Sequence, residues 1–222
     1  MNNTVTFFDV KNSEEISIYI KQADLSLKAL GYTEHSFAHA TKCAETAGKL
    51  LKDLGYSDNE VELAKIAAYM HDIGNVVNRA DHAQSGALIA FRLLEKMGMP
   101  PTDIAAIVTA IGNHDEKTAF PVNAVAAAVI LADKTDVRRS RVREGAALCT
   151  DIHDRVNYAV TKTDLVLDNE NKTITAFLTI DTAISPVMDY FEIFLDRMLL
   201  CRKAAEYLGL KFQLNMNGKN LL

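Results

Sequence analysis

The sequence predicts a mainly α-helical protein with a small C-terminal extension that mixes strands and a helix. First, apolar side chains recur at helical spacing through most of the first 160 residues, between polar helix starts and glycine stops. Second, two short stretches rich in β-branched and aromatic residues flank a polar turn after that point. We therefore divide the chain into a helical domain at 1–160 and an α+β extension at 161–222, packed on the body or on a second subunit.

Seven helices are predicted in the first part, after a polar lead-in of about 12 residues to which no structure is assigned. Several begin at a residue that can cap free backbone amides, such as Asn123 or the capping-box pair of Ser57 and Glu60, and Asp81 opens a similar box-like sequence. Several end at a glycine, which readily adopts the left-handed conformation beyond a helix. The predicted helices span 13–30, 35–54, 57–70, 81–97, 100–111, 124–136 and 151–160.

The extension is predicted to hold a β-hairpin, a long helix and a last strand. The hairpin strands span 163–168 and 173–180, joined by the polar turn Asn-Glu-Asn-Lys. Ser185 and Pro186 can start a helix that runs through Tyr207, and the residues at 211–216 alternate as in a strand.

Composition excludes several classes of partner. The net charge of −5 argues against a nucleic-acid backbone as a partner. The longest apolar stretch, at 124–132, is far shorter than the ~20 residues that a membrane-spanning helix needs, and no signal peptide is evident at the start. Cys43, Cys149 and Cys201 are odd in number and widely spaced, which is typical of reduced thiols. We therefore expect a cytoplasmic protein without a membrane partner.

The stretch at 64–75 is the strongest candidate for a functional site. An apolar helix runs directly into the adjacent pair His71 and Asp72 and stops at Gly74. Such a pair can point at one metal ion if the helix ends there, and a cation compensates the cost of burying it. The alternative is an ordinary helix end with a favourable histidine and a glycine stop.

Other histidines and one aspartate favour the metal. His39 should face the interior together with Cys43, one helical turn further on. Asp133 lies inside the most apolar predicted helix, where an ionised carboxylate needs a cationic partner, either a basic side chain or a metal. His82 and His114 fall near predicted helix ends. Mixed imidazole and carboxylate ligands suit one or two divalent transition metal ions, namely Fe, Mn, Co, Ni or Zn.

The order of His39, His71-Asp72 and Asp133, with the local sequence around each, resembles the H…HD…D pattern of the HD-domain metal-dependent phosphohydrolases over roughly 35–140. The resemblance implies a helical-bundle core and hydrolysis of a phosphate ester, often of a nucleotide, by a metal-activated water. It also implies that these four residues hold one metal, with His71 and Asp72 at the catalytic centre. His82 and His114 would complete a second metal site that Asp72 bridges.

Basic residues near this pattern are candidates to bind a small anionic phosphate substrate. If the helix that carries Asp133 continues to Arg138, that guanidinium lies roughly 7 Å further along the axis. A solvated basic helix end is the alternative. The candidates for substrate binding are His35, Arg79, Lys134, Arg138 and Arg139.

Two departures from the family pattern concern the substrate and the metal count. Asn75 stands where many members have lysine, and His114 is followed by Asp115 where some two-metal members have paired histidines. A second His-Asp pair, His153 and Asp154, is neither preceded by an apolar helical run nor followed by a glycine two residues later. We interpret these two residues as surface or supporting residues.

Two other functions remain open from the sequence. Some relatives of the fold are di-iron oxygenases, and the six proposed ligands would accommodate two irons. The chain could also be a non-catalytic regulatory module that binds a metal or a nucleotide, since the extension offers a surface for a homodimer.

Overall fold

The computed structural model describes residues 5–145 and 151–221 of the chain. These ranges hold nine α-helices, two 3₁₀ turns and a four-stranded sheet, so the mainly helical fold with a small C-terminal sheet is confirmed. The helices are α1 (Phe7–Lys11), α2 (Glu14–Ala29), α3 (Phe37–Asp53), α4 (Asp58–Met70), α5 (His82–Lys96), α6 (Pro101–Gly112), α7 (Ala124–Lys134), α8 (Ile152–Ala159) and α9 (Val187–Tyr207). The 3₁₀ turns are Ile73–Val76 and Arg139–Arg141, and the strands are β1 (Val160–Asp168), β2 (Thr173–Ile180), β3 (Lys211–Met216) and β4 (Lys219–Asn220).

Local capping explains where most helices begin. Ser57 accepts a hydrogen bond from the Glu60 amide while the Glu60 side chain accepts from the Ser57 amide, so the predicted capping box is present. Ser36 and Asn123 likewise cap α3 and α7. The box predicted at Asp81 is wrong, because that residue adopts a left-handed conformation (φ 55°) and its side chain makes no cap bond.

Three further differences from the sequence prediction concern element ends. α7 ends at Lys134 and not near residue 136, because Thr135 caps it and the chain then becomes extended at Arg138. The polar lead-in contains the short helix α1, which Thr6 and Asp9 start with a capping box. The two-residue strand β4 adds an edge that the sequence did not suggest.

The core is built around α7. Every residue from Val125 to Lys134 is buried, and α3, α4, α6 and α9 pack around this helix. A helix that is almost wholly apolar is expected to be surrounded on all sides. The polar groups at the end of α7, Asp133 and Lys134, are therefore carried into the interior.

The sheet of the extension has the strand order β1-β2-β3-β4. β1 and β2 form the predicted antiparallel hairpin, with Leu165 opposite Ala176. β2 and β3 are parallel, with Ala176 opposite Leu214, and α9 provides the crossover that parallel strands require. The side chains at 174, 176, 178 and 180 all point to the buried face, as a period of two predicts.

The extension packs against the helical part of the chain. Its buried residues join the same hydrophobic cluster, and α9 lies against α7. Polar contacts also cross between the parts: Thr163 Oγ1 donates to the Thr135 carbonyl at 3.0 Å, and Asn169 Nδ2 donates to the Asp53 carbonyl at 2.9 Å. From α9, Arg197 pairs with Glu116, which also pairs with Lys134 next to Asp133.

Two other sequence expectations touch the described residues. None of the described helices is both long enough and apolar enough to cross a membrane. Cys43 and Cys201 are buried and unpaired, as predicted, whereas Cys149 and the start of the lead-in lie outside the described residues.

Candidate metal centre

The end of α4 places His71 and Asp72 side by side. His71 is the C-cap of the helix, and Asp72 precedes the 3₁₀ turn at Ile73–Val76. Glycine is required at position 74 because the backbone of α5 packs directly against it. A Cβ there would lie 2.0 Å from the His82 carbonyl oxygen and 2.4 Å from the Gly86 amide nitrogen. The glycine therefore lets the start of α5, with His82, pack directly against the turn.

Two residues from other helices meet this pair. His39 lies in the first turn of α3 and Asp133 near the end of α7. The Asp133 Oδ1 atom lies 3.4 Å from His39 Nε2 and 3.6 Å from His71 Nε2. The Asp72 Oδ2 atom lies 3.8 Å from His39 Nε2 and 3.1 Å from His71 Nε2. The structure thus brings together all four residues proposed for a first metal.

The other carboxylate oxygen of Asp72 faces a second pair of imidazoles. Asp72 Oδ1 lies 3.4 Å from His82 Nε2 and 3.9 Å from His114 Nε2, and these two ring nitrogens are 3.1 Å apart. Asp72 therefore stands between two adjoining ligand sets, one on each carboxylate oxygen. We call the two sets together the metal cluster: His39, His71, Asp72, His82, His114 and Asp133.

All four imidazoles are oriented with Nε2 toward the cluster, because Nδ1 is engaged on the outer side. Three of them donate Nδ1–H to a backbone carbonyl three residues earlier: His71 to Ala68 O (2.7 Å), His82 to Arg79 O (3.1 Å) and His114 to Ile111 O (2.6 Å). His39 instead has its Nδ1 2.7 Å from the Asp136 carboxylate. With Nδ1 engaged in this way, the neutral form of each ring presents its Nε2 lone pair to the cluster, where a metal can bind.

The chemistry of this donor set fits a divalent cation. His71 Nε2 is buried, and its polar neighbours are the Asp72 and Asp133 carboxylate oxygens at 3.1 and 3.6 Å. The His82 and His114 Nε2 atoms face each other at 3.1 Å, and in the tautomer fixed by their Nδ1 bonds both are acceptors, an arrangement that a cation between them would stabilise. Several triplets of cluster atoms lie within 4.8 Å of one another, the spacing that a shared ion requires.

Burial and the carboxylates set the protonation of the cluster in the absence of a metal. Burial lowers the pKa of His114 and His82, which keeps both imidazoles neutral. Burial alone would also lower the pKa of His71, but the Asp72 and Asp133 carboxylates outweigh it and raise that pKa to about 10. A metal bound at His71 would therefore displace a proton held by the two carboxylates.

A chain of alternating charges runs away from Asp133. Lys134 Nζ lies 2.7 Å from Asp133 Oδ2 and 3.3 Å from Glu116 Oε2, and Arg197 Nε from α9 lies 2.5 Å from Glu116 Oε1. Lys134 is buried, so its ammonium is held between two carboxylates and is not the free substrate ligand that the sequence suggested. This pairing leaves Asp133 Oδ1 directed at the cluster.

Two of the other predicted substrate residues do border the cluster. His35 lies just before the cap of α3, and its Nε2 is 3.9 Å from Asp72 Oδ2. Arg79 NH1 is 3.8 Å from Asp72 Oδ1 and 3.3 Å from His82 Nε2. Asn75 donates to the same Asp72 Oδ1 at 3.0 Å, so this departure from the family pattern helps to orient the Asp72 carboxylate.

Arg138 and Arg139 point elsewhere, which corrects the expectation that both reach the substrate. Because α7 stops at Lys134, Arg138 is extended and bonds Asp136 Oδ1 and Ser140. Arg139 donates to the Tyr158 carbonyl and stacks on that ring. His153 has an exposed side chain, in agreement with a surface position.

Sequence reasoning missed four residues that support the cluster or face it. Asp136, Glu116 and Arg197 reach their partners from distant parts of the chain, and only Arg141 lies beside residues that the sequence had singled out, Arg138 and Arg139. Cys43 also comes within 3.7 Å of His39 Nε2, but burial and nearby carboxylates raise the pKa of its thiol, which makes it a poor ligand.

The fold and this geometry define a class: a helical domain whose buried imidazoles and carboxylates are able to hold a metal. A comparison with protein families agrees, because the family model described as HD domain matches residues 36–138. The resemblance to the HD-domain metal-dependent phosphohydrolases seen in the sequence is therefore confirmed over this part of the chain.

A relative is known from an archaeon. The chain is similar to the uncharacterized protein MJ1020 of Methanocaldococcus jannaschii, with 27% identity over 167 residues. The match covers 65% of this chain and 64% of the relative, so the chain spans a little under two thirds of that protein's length. The name of the relative assigns no activity, and the substrate must be argued from the site itself.

Proposed function

We propose that the protein is a metal-dependent phosphohydrolase that holds two divalent transition metal ions and cleaves a phosphate ester of a nucleotide or another small metabolite. The observation that carries this proposal is the position of Asp72, whose two carboxylate oxygens face two separate sets of Nε2 atoms. A carboxylate that bridges two ions is a recurrent device in phosphoryl chemistry.

The residues have separate tasks in this proposal. His39, His71, Asp72 and Asp133 hold one ion, and His82 and His114 with Asp72 hold the other. Once bound, such ions supply an activated water and neutralise charge on the phosphoryl oxygens. Arg79 and His35 border Asp72 and can orient a phosphate oxygen there.

Metal stoichiometry tests the assignment. We expect His114→Ala to lose one of two bound ions and Asp72→Ala or His71→Ala to lose most of the metal, with activity reduced at least about a hundredfold in each. His153→Ala is the matched control for metal content, because it removes an exposed imidazole from the other His-Asp pair. The measurement is elemental analysis after loading with Mn or Fe, with circular dichroism to check folding.

A broad screen then separates the functions that the sequence left open. Phosphate release from a panel of nucleotides and phosphate esters supports the hydrolase, whereas oxygen uptake by the reduced iron form without phosphate release would support an oxygenase. Full metal in both His71→Ala and Asp72→Ala would overturn the site. Binding of phosphate compounds without turnover of any of them would leave a regulatory module as the better description.

We further propose a cytoplasmic homodimer that forms through the extension. Buried free thiols at Cys43 and Cys201 suit a reducing compartment. On α9, Met188, Leu195 and Leu199 form an exposed apolar stripe. Exposed Glu192 and Lys203 flank this stripe on one side. When two copies of α9 pack antiparallel, Glu192 of one copy therefore lies near Lys203 of the other.

A further inference from the structure

A polar cleft of about 380 Å³ opens beside the metal cluster. Its lining includes His35 and Arg79, both within 4 Å of the Asp72 carboxylate, so one end of the cleft adjoins the bridging ligand. The other walls come from α8 and from Arg197 on α9, which lie outside the part of the chain that the HD-domain family covers.

Three guanidinium groups line this cleft, and each is already fixed in place. Arg79 lies over the Tyr32 ring at 5.5 Å, and Arg197 lies over the Phe194 ring at 4.4 Å. Arg141 donates to the backbone carbonyls of residues 34 and 136 at 3.0 and 2.9 Å. A cation that is held in place before a ligand arrives loses little entropy when it binds one.

We call this cleft the arginine cleft, after Arg79, Arg141 and Arg197. These three arginines retain N–H donors that a ligand can use. Within residues 5–145 and 151–221, the NH2 group of each has no hydrogen-bond partner. Arg141 is only 4% exposed, and no carboxylate among those residues comes within 4 Å of it. A buried charge with that little compensation is costly unless a ligand supplies the opposite charge.

Two carboxylates also line the cleft, on the α8 side. Asp151 is the N-cap of α8 and accepts hydrogen bonds from the amides of His153 and Asp154. Asp154 is largely buried, and this burial together with the nearby Asp151 carboxylate raises its pKa. Two carboxylates offset the charge of three guanidinium groups only in part.

We propose that the arginine cleft binds a second phosphate group, so that the substrates of this protein are phosphate esters that carry two phosphate groups. The scissile phosphate lies at the metal cluster in this arrangement, and the second is held by the planar, bidentate guanidinium forks. The identity of the cleaved bond rests on the proposed function, but anion binding in the cleft does not. Because Arg197 belongs to α9, the extension sets the substrate specificity.

Binding of two phosphonates tests this proposal without any turnover. The probes are methylenediphosphonate and methylphosphonate, titrated calorimetrically into the full-length protein as purified with its metal. We expect wild type to bind the diphosphonate at least about tenfold more tightly, since a hydrogen bond to a charged group contributes that much. Arg197→Gln should lose most of this preference.

Arg202→Gln is the matched control, because it makes the same change on the same helix at an exposed residue outside the cleft. It should keep the tenfold preference. Arg141→Lys, which keeps the charge but not the fork, provides a second test if Arg197→Gln does not fold, and it should also reduce the preference.

The possible outcomes separate this proposal from the proposed function. If no hydrolysis is found but the preference is present and lost in Arg197→Gln, the cleft proposal stands and the hydrolase fails. If the preference survives in both Arg197→Gln and Arg141→Lys, it comes from chelation at the metal, and the cleft proposal is overturned. Equal affinity of wild type for the two phosphonates also overturns it.

Discussion

Asp136 offers a direct test of how the metal cluster is tuned, because it touches no metal in the proposed arrangement. Its carboxylate oxygen lies 2.7 Å from His39 Nδ1, and both side chains are 1% exposed. His39 and nearby cations hold the pKa of Asp136 well below its usual range although burial opposes ionisation. An ionised carboxylate behind an imidazole raises the basicity of the ligand nitrogen and fixes its tautomer.

Removal of this partner should weaken metal binding by about 10- to 100-fold, or about 1.4 to 2.7 kcal/mol. Asp136→Asn should fall near the lower end, because the amide oxygen can still accept the His39 Nδ1 proton. Asp136→Ala should fall near the upper end, because it removes both the charge and the acceptor. Competition with a chromophoric chelator gives the dissociation constants.

Arg138→Gln is the control for the other contact of Asp136, the 2.9 Å bond between Arg138 Nε and Asp136 Oδ1. It should leave the metal affinity within about threefold of wild type, since that guanidinium points away from the cluster. An affinity of Asp136→Ala equal to that of wild type, or an equal loss in Arg138→Gln, would refute the reasoning.

Two further predictions concern Glu116 and α9. Burial opposes ionisation of Glu116, but Lys134 and Arg197 lower its pKa from 4.5 to about 2. The ionised Glu116 therefore contributes about 3 kcal/mol to the free energy of unfolding above pH 4.5. This contribution is lost as the pH falls toward 2. Urea unfolding should therefore give a gap between wild type and Glu116→Gln that narrows over this range; a constant gap would contradict the ion pair. For α9, Leu195→Asp should convert a dimer to a monomer in light scattering, and an unchanged mass would exclude that interface.

The sequence could predict the elements and the residues that come together in the cluster because both depend on local or strongly patterned signals. Helix starts at Ser57 and Asn123 follow from side-chain capping within three residues. The cluster consists of His and Asp residues next to apolar helix segments. A charge buried there is strongly destabilising unless an opposite charge compensates it, which marks these residues as a candidate site. The family resemblance then ordered these residues into one site.

The remainder depends on contacts between distant residues that have no local signal. Asp136 meets His39 across 97 positions, and Arg197 meets Glu116 across 81. The error at Arg138 has a similar origin: helical periodicity continues past Lys134, but Thr135 bonds back to the Leu131 carbonyl and the chain turns extended. No propensity in that segment indicates which arginine turns toward the cleft.

The need for Asp136 follows from where each histidine lies on its helix. His71 and His114 lie at helix ends, where backbone carbonyls lack helical partners, so Nδ1–H can donate to the carbonyl three residues earlier. His39 lies in the first turn of α3, and the carbonyl three residues before it already accepts from the Ala40 amide. A ligand histidine there needs a side-chain acceptor from elsewhere in the fold. Asp136, in the segment after α7, supplies this acceptor. The same segment carries Arg141 into the arginine cleft, so it contacts both the metal cluster and the cleft.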